Sequence, residues 1–194
     1  MVSSRGQDGT RGRGILILAT AVYLILLVWV VLWKLEPPWI GAAAGLPRPI
    51  KLVPFVPSGN AGASAPAELI INAVLFVPFG LFAGAFAPAW TWWKTGTAAF
   101  GASLVLETTQ HMISIGSFDT TDLIVNTTGA LAGWTIFLAV RNSAGDRTRI
   151  VMTRVCVIVS TVALAASVAF VVSPLHYGPQ HDVVVDRSTG DEAD

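Results

Sequence analysis

The stretch FDTTDLIVNTTGALAGW, Phe118 to Trp134, decides the fold of this protein. It combines two carboxylates, an amide and two glycines in a segment that then stays apolar to Val140. These polar residues and glycines recur at spacings of three and four, which places them on one stripe of an α-helix. They are Asp119, Asp122, Asn126, Gly129 and Gly133. The two glycines form a small-xxx-small pattern that admits a second helix backbone, so the stripe is predicted to face other helices rather than lipid.

The composition argues against a soluble domain. Hydrophobic residues make up 53% of the 194 residues and charged residues only 12%, whereas a soluble domain carries roughly 25% charged residues. The formal net charge is zero, so no basic bias indicates a nucleic-acid partner. A single cysteine, Cys156, excludes an internal disulfide bond.

Five apolar segments predict an all-α, polytopic transmembrane helical bundle. Each is close to the ~20 residues that a bilayer core requires. The predicted spans cover residues 15–33, 67–90, 96–115, 121–140 and 154–172. They form one transmembrane domain, residues 15–173. It lies between a basic N-terminal tail, residues 1–14, and an acidic tail, residues 174–194, that is predicted to be disordered.

The first span has an alternative interpretation as the apolar part of a signal peptide, with Ala42 and Ala44 near a cleavage site. Its nineteen uncharged residues, Ile15 to Trp33, exceed the roughly 7–15 residues of a signal peptide. Cleavage would also fall well beyond the apolar end. A retained helix is therefore favoured, and a four-span protein is the alternative.

The distribution of lysine and arginine predicts an N-terminus inside and a C-terminus outside. In this orientation eight of these residues lie inside and four outside, as the positive-inside rule requires. The polar residues of the second, third and fourth spans then meet in the outer half of the membrane.

These three spans supply a predicted polar cluster. Glu107 and Gln110 share a face of the third span. On the second span, Asn72 is followed by another small-xxx-small pair, Gly80 and Gly84. A charge at the bilayer centre costs at least about 2.5–3.5 kcal/mol, so Glu107 must be paired, protonated or facing water. The residues predicted to surround one outward-opening cavity are Asn72, Glu107, Gln110, Asp119, Asp122 and Asn126.

Structural interpretations of the same residues stay open. Their hydrogen bonds could simply join helices, at an average of about 0.6 kcal/mol each. Asp122 could simply cap the N-terminus of its helix, and Asp119 or Thr120 could be the cap instead. His111 lies near carboxylates, but no ligand set with metal-type spacing occurs, so no metal or other cofactor is predicted.

The longest loop contains an apolar stretch, KLVPFVPS, from Lys51 to Ser58. It could dip into the membrane, cap the bundle or form a plain loop. Non-helical backbone at membrane depth must be covered by protein or water. Arg48 or Lys51 from this loop could fold back to pair with Glu107.

Four pieces of the sequence form an ordered set. They are LVPF (Leu52 to Phe55), NAVLFVPFG (Asn72 to Gly80), LETTQ (Leu106 to Gln110) and SFDTTDLIVNTTGALAG (Ser117 to Gly133). This set resembles the VanZ-like family of small bacterial integral membrane proteins. Many relatives carry a basic residue just before the SFD-like element, where this chain has Gly116. The resemblance implies a multi-pass protein of the cell envelope, in a family named for a protein associated with low-level resistance to the glycopeptide teicoplanin.

Three classes of function are consistent with these observations. The first, which we favour, is a binding or resistance protein surrounded by membrane lipids, whose polar pocket engages a lipid-linked or peptidoglycan-related group. The second is a membrane enzyme acting on such a lipid, with Glu107 and Asp122 as candidate acid and base. The third is an assembly protein without a ligand, whose polar groups hold helices together.

Overall fold

The computed structural model describes residues 3–33, 50–56, 66–113 and 118–173. These residues form five α-helices and one pair of two-residue strands. In chain order the elements are α1 (Ser3–Trp33), β1 (Ile50–Lys51), α2 (Pro66–Phe86), α3 (Trp92–Met112), β2 (Phe118–Asp119), α4 (Thr120–Ala144) and α5 (Thr148–Val172). A short 3-10 turn, Gly145–Arg147, joins α4 to α5. The predicted all-α class is confirmed for the described part of the chain.

Several helix ends differ from the predicted ones, for local reasons. The second helix was predicted to reach residue 90, but α2 ends at Phe86 because Pro88 has no backbone N–H and cannot continue the hydrogen-bond ladder. The fourth and fifth helices extend beyond their predicted apolar limits until they meet at the 3-10 turn. Gly145 begins that turn at φ 52°, a conformation that glycine adopts without steric cost.

The closest packing in the structure joins α2 and α4 through their glycine pairs. A Cβ placed on Gly80 would overlap the carbonyl oxygen of Ala130, and one on Gly129 would overlap that of Ala73. A Cβ on Gly133 would likewise overlap the carbonyl oxygen of Val77, whereas a Cβ on Gly84 would overlap the ring of Phe137. The two small-xxx-small stripes therefore face each other, which allows the backbones to approach closely.

Helix α1 closes the other side of the bundle. The Ser160 hydroxyl of α5 donates to the carbonyl of Ala19 at 2.8 Å. The Tyr23 hydroxyl donates to the carbonyl of Leu75 at 2.9 Å, and its ring stacks on Phe82 with centroids 5.1 Å apart. These contacts bring α1 against both α5 and α2 around a core of apolar side chains.

The outer faces of the helices suit a lipid environment. Among the described residues, three stretches are long and apolar enough to cross a membrane: Arg11–Trp33, Pro66–Phe86, and Thr120–Val172, which contains both α4 and α5. Large apolar side chains remain exposed along these stretches, as a membrane-facing surface requires. Examples are Leu18, Ile25, Ile70, Val74, Ile158 and Val162. Together these features indicate a membrane protein, while the number of spans and their orientation stay predictions.

Some predictions concern residues outside the described ones. They are the acidic tail, residues 174–194, the cleavage site near Ala42 and Ala44, the possible pairing of Arg48 with Glu107, and the position of Gly116.

The contact between α2 and α4 gives a first testable prediction. Gly129→Ala places a methyl group against the backbone of Ala73, which cannot rotate away. Overpacking of this kind costs about 1–3 kcal/mol, so we expect a clear drop in the thermal unfolding temperature of the purified protein in detergent.

Gly101→Ala is the matched control, because a Cβ there meets nothing within 4 Å. A glycine-to-alanine change inside a helix is expected to leave stability unchanged or raise it by up to about 1 kcal/mol. Equal unfolding temperatures for the two variants would contradict the close packing of α2 and α4.

Candidate functional site

The segment 50–56 folds over the beginning of α4. Strand β1 pairs in parallel with β2, with Ile50 opposite Phe118 and Lys51 opposite Asp119. The Thr120 hydroxyl donates to the carbonyl of Lys51 at 3.0 Å. The backbone N–H of Phe55 donates to the Thr121 hydroxyl at 3.0 Å. Of the three interpretations of the apolar loop, the contacts of its described part fit a cap.

Asp119 has a structural role within this cap. Its side chain accepts a hydrogen bond from the Thr121 N–H at 2.8 Å and so caps the N-terminus of α4. Its other carboxylate oxygen lies 3.6 Å from the Lys51 ammonium, and both side chains are buried. Lys51 folds back from the loop, which was one of the possibilities considered for pairing with Glu107, and it forms an ion pair with Asp119.

Glu107 points into the bundle at the same end. It is 2% exposed, and one of its carboxyl oxygens accepts a hydrogen bond from the Asp119 N–H at 3.1 Å. The carboxyl group of Asp122 is a near neighbour of the Glu107 carboxyl group. Two neighbouring carboxyl groups can share a hydrogen bond only when one of them carries a proton, because an ionised carboxylate is an acceptor alone.

Asp122 and Asn72 form the accessible edge of the cluster. The Asn72 amide donates to an Asp122 carboxyl oxygen at 2.8 Å, which links α2 to α4. Both side chains are half-buried, whereas Glu107 is buried. The helix cap is Asp119, so Asp122 is left to interact with neighbouring helices.

Asn126 lies one turn deeper. Its amide nitrogen donates to the Ser103 hydroxyl of α3 at 2.9 Å, and its amide oxygen is buried with no protein partner among the described residues. Asn126 thus contacts the third span through Ser103, a residue that the sequence analysis missed. Ser103 precedes Glu107 by four residues and Gln110 by seven, so helical spacing alone places it on the same face.

Gln110, one of the six residues predicted to surround the cavity, is bonded to a different helix, α1. Its amide donates to the carbonyl of Val31 at 2.7 Å, so it joins α3 to α1. Its place near the C-terminal end of α3 brings it beside the end of α1. Within the described residues, no group of three or more His, Cys, Asp or Glu side chains is arranged to hold a metal ion.

The carboxyl cluster, defined as Asn72, Ser103, Glu107, Asp122 and Asn126, is compact. The two neighbouring carboxyl groups and the buried amide oxygen of Asn126 offer acceptors for a polar or cationic group. Access is through Asn72 and Asp122, because the other three side chains are buried. Such an arrangement can bind a polar head group or hold a proton, and nothing in it resembles a nucleophile with its base.

Fold and site together define a small helical membrane protein with a buried carboxyl cluster at one end of its bundle. The family model described as VanZ/LLP1 matches residues 20–141, and this chain belongs to that family. Protein VanZ of Enterococcus faecium is 32% identical over 117 residues, which is 60% of this chain and 70% of that protein. The comparison with solved structures found no match. The resemblance drawn from the four sequence pieces is confirmed, and the whole carboxyl cluster lies within the matched residues.

The hydrogen bond from the Asp119 N–H to Glu107 gives a test of the cluster. Glu107→Leu removes the acceptor of the buried Asp119 N–H, and an unsatisfied buried donor costs about 1–3 kcal/mol. Glu107→Gln keeps an acceptor oxygen of nearly the same shape. We expect a larger drop in the thermal unfolding temperature in detergent for the leucine variant than for the glutamine variant. Equal losses would show that the contact with Asp119 does not contribute to stability.

Proposed function

We propose that the protein is a multi-pass protein of the cell membrane with five spans, its N-terminus inside and its C-terminus outside. Helix α3 is less apolar than the three stretches that are long and apolar enough to cross a membrane. The reason is that α3 carries four buried polar residues. They are Thr95, Ser103, Glu107 and Gln110. These side chains face other helices and not lipid, so they do not prevent α3 from crossing the membrane. Its 21 residues are also long enough to span the bilayer.

Cysteine accessibility tests this topology. In a Cys156→Ser background, Thr91→Cys lies before α3 and Phe55→Cys lies in the cap at the opposite end of the bundle. We expect a membrane-impermeant maleimide to label position 55 in intact cells, and position 91 only after the membrane is opened. Labelling of both positions in intact cells would contradict a spanning α3.

We further propose that the carboxyl cluster engages the polar head group of a lipid-linked or peptidoglycan-related envelope component. Through this interaction the protein would contribute to teicoplanin-type glycopeptide resistance, as the family resemblance implies. One observation supports this proposal above the others: the half-buried Asp122–Asn72 pair lies beside an exposed apolar cap. Leu52, Val53 and Phe55 of that cap are 70%, 58% and 57% exposed. A polar edge beside an apolar surface suits a ligand with a polar head and an apolar tail.

A membrane enzyme is the second candidate, favoured by the nearness of the Glu107 and Asp122 carboxyl groups. One protonated and one ionised carboxyl group can serve as acid and base in a single reaction. Turnover of a purified lipid-linked substrate, lost in both Glu107→Gln and Asp122→Asn, would distinguish catalysis from binding.

The resistance function is tested by substitutions at the accessible edge. Asp122→Asn keeps an oxygen acceptor for the Asn72 amide but removes the charge. We expect it to lower the teicoplanin concentration tolerated by expressing cells to that of cells without the protein, at an unchanged membrane level of the protein.

Asp146→Asn is the matched control, because it removes an exposed carboxylate in the 3-10 turn after α4, far along the chain from the cluster. It is expected to retain the wild-type tolerance. If Asp122→Asn keeps full tolerance as well, the cluster does not bind the envelope component, and an assembly role for its hydrogen bonds is the better explanation.

A further inference from the structure

A second candidate site lies at the opposite end of the bundle. A cavity of about 570 Å³ is bounded by residues 13–16 of α1, the C-terminal ends of α2 and α4, and the first turns of α5. Arg141 at its edge follows Asp122 by nineteen residues on α4, about 28 Å along the helix axis. This separation is close to the ~30 Å thickness of the hydrocarbon core. The cavity and the carboxyl cluster therefore lie near opposite surfaces of the membrane.

The rim of the cavity is basic. Arg13, Arg141 and Arg149 reach it from three different helices, and all three side chains are exposed. Asp146 is the one acidic residue among the lining residues that the structure describes. Three guanidinium groups against one carboxylate give this rim a positive potential, which favours an anionic ligand.

The inner wall of the cavity is apolar. Leu16, Phe137 and Met152 line it and are 8%, 1% and 2% exposed. The volume lies within the roughly 300–1,000 Å³ of small-molecule sites. A ligand that fills it must combine a negative charge at the rim with hydrocarbon inside, and an inorganic anion alone would leave the apolar wall uncovered.

Arg141 is held in place to receive such a ligand. One of its guanidinium nitrogens donates to the carbonyl of Pro88 at 2.9 Å, and the group lies 5.7 Å from the ring centroid of Phe137. A guanidinium has five N–H donors in a planar fork that matches phosphate oxygens. The bond to Pro88 orients the side chain without using all of its donors, so less side-chain entropy is lost on binding.

We propose that this cavity binds the phosphate head group of an anionic membrane phospholipid, with part of an acyl chain against its apolar wall. In the proposed orientation the basic rim faces the cytoplasm, and basic pockets between helices on that side are suited to anionic head groups. This site is separate from the carboxyl cluster and does not depend on the function proposed for it.

Lipid titration of the purified full chain, followed by native mass spectrometry, tests the proposal. Dioleoyl phosphatidylglycerol is the anionic probe and dioleoyl phosphatidylcholine the neutral one. Each arginine near anionic lipid contributes about 1 kcal/mol, so Arg13→Gln/Arg149→Gln is expected to weaken phosphatidylglycerol binding about tenfold or more. Each single variant is expected to weaken it several-fold, which keeps the test decisive if the double variant is unstable.

Arg154→Gln is the matched control, since Arg154 is an exposed arginine of α5 that does not line the cavity. It is expected to change phosphatidylglycerol binding less than about twofold. Equal losses in the control and the rim variants would show general attraction to a basic surface and would overturn the proposal. Equal binding of the two lipids to the wild-type protein would overturn it as well.

Two further experiments distinguish a phospholipid with an inserted acyl chain from a soluble phosphate compound. Ala85→Phe fills the cavity and leaves every arginine in place, so it is expected to reduce phosphatidylglycerol binding while the unfolding temperature stays near that of the wild type. Unchanged lipid binding in this variant would overturn entry of the acyl chain. Millimolar glycerol 3-phosphate is expected not to displace the lipid; displacement would identify a soluble phosphate compound as the ligand instead.

Discussion

The close approach of α2 and α4 is the constraint on which the rest of the structure depends. Gly129 and Gly133 lie against the carbonyls of Ala73 and Val77, and a single methyl group at these glycines would force the helices apart. This contact sets the register of the two helices. Asn72 directly precedes Ala73 and Asp122 lies two turns before Gly129, so the register brings their side chains to 2.8 Å. The polar contact between α2 and α4 thus follows from packing of backbone against backbone.

The carboxyl groups at this end are stabilised in different ways. A buried charge needs a partner, because desolvation costs several kcal/mol per ion. Asp119 is paired with Lys51 and caps α4, which anchors the segment 50–56 over the bundle. Glu107 is fixed by the backbone of Asp119, and Asp122 is left at the accessible edge. The cap, the helix start and the carboxyl pair therefore form one unit, in which the residue best placed to meet a ligand is the least buried of the three.

The two ends of the bundle differ in chemistry, and α4 joins them. Its N-terminal turns carry the carboxyl cluster, and its C-terminal turn carries Arg141 at the basic cavity. Acidic and basic groups are separated by about the thickness of a hydrocarbon core. The lateral surface between them is covered by exposed Ile, Leu and Val side chains. In the proposed topology, this distribution would place different polar groups at the two membrane surfaces and apolar side chains in between.

The sequence by itself determined the helical class, the face of α4 that turns inward and the family. Spacings of three and four place Asp122, Asn126 and Gly129 on one stripe whatever the neighbours are, because the helical period is a local property. The contact partners of these residues could not be predicted from helical spacing. The tertiary structure alone decided that Lys51 pairs with Asp119, that Gln110 reaches Val31 on α1, and that Arg13, Arg141 and Arg149 surround one cavity. These contacts join residues distant in sequence, and their geometry depends on how far neighbouring helices slide and rotate against each other, which periodicity does not specify.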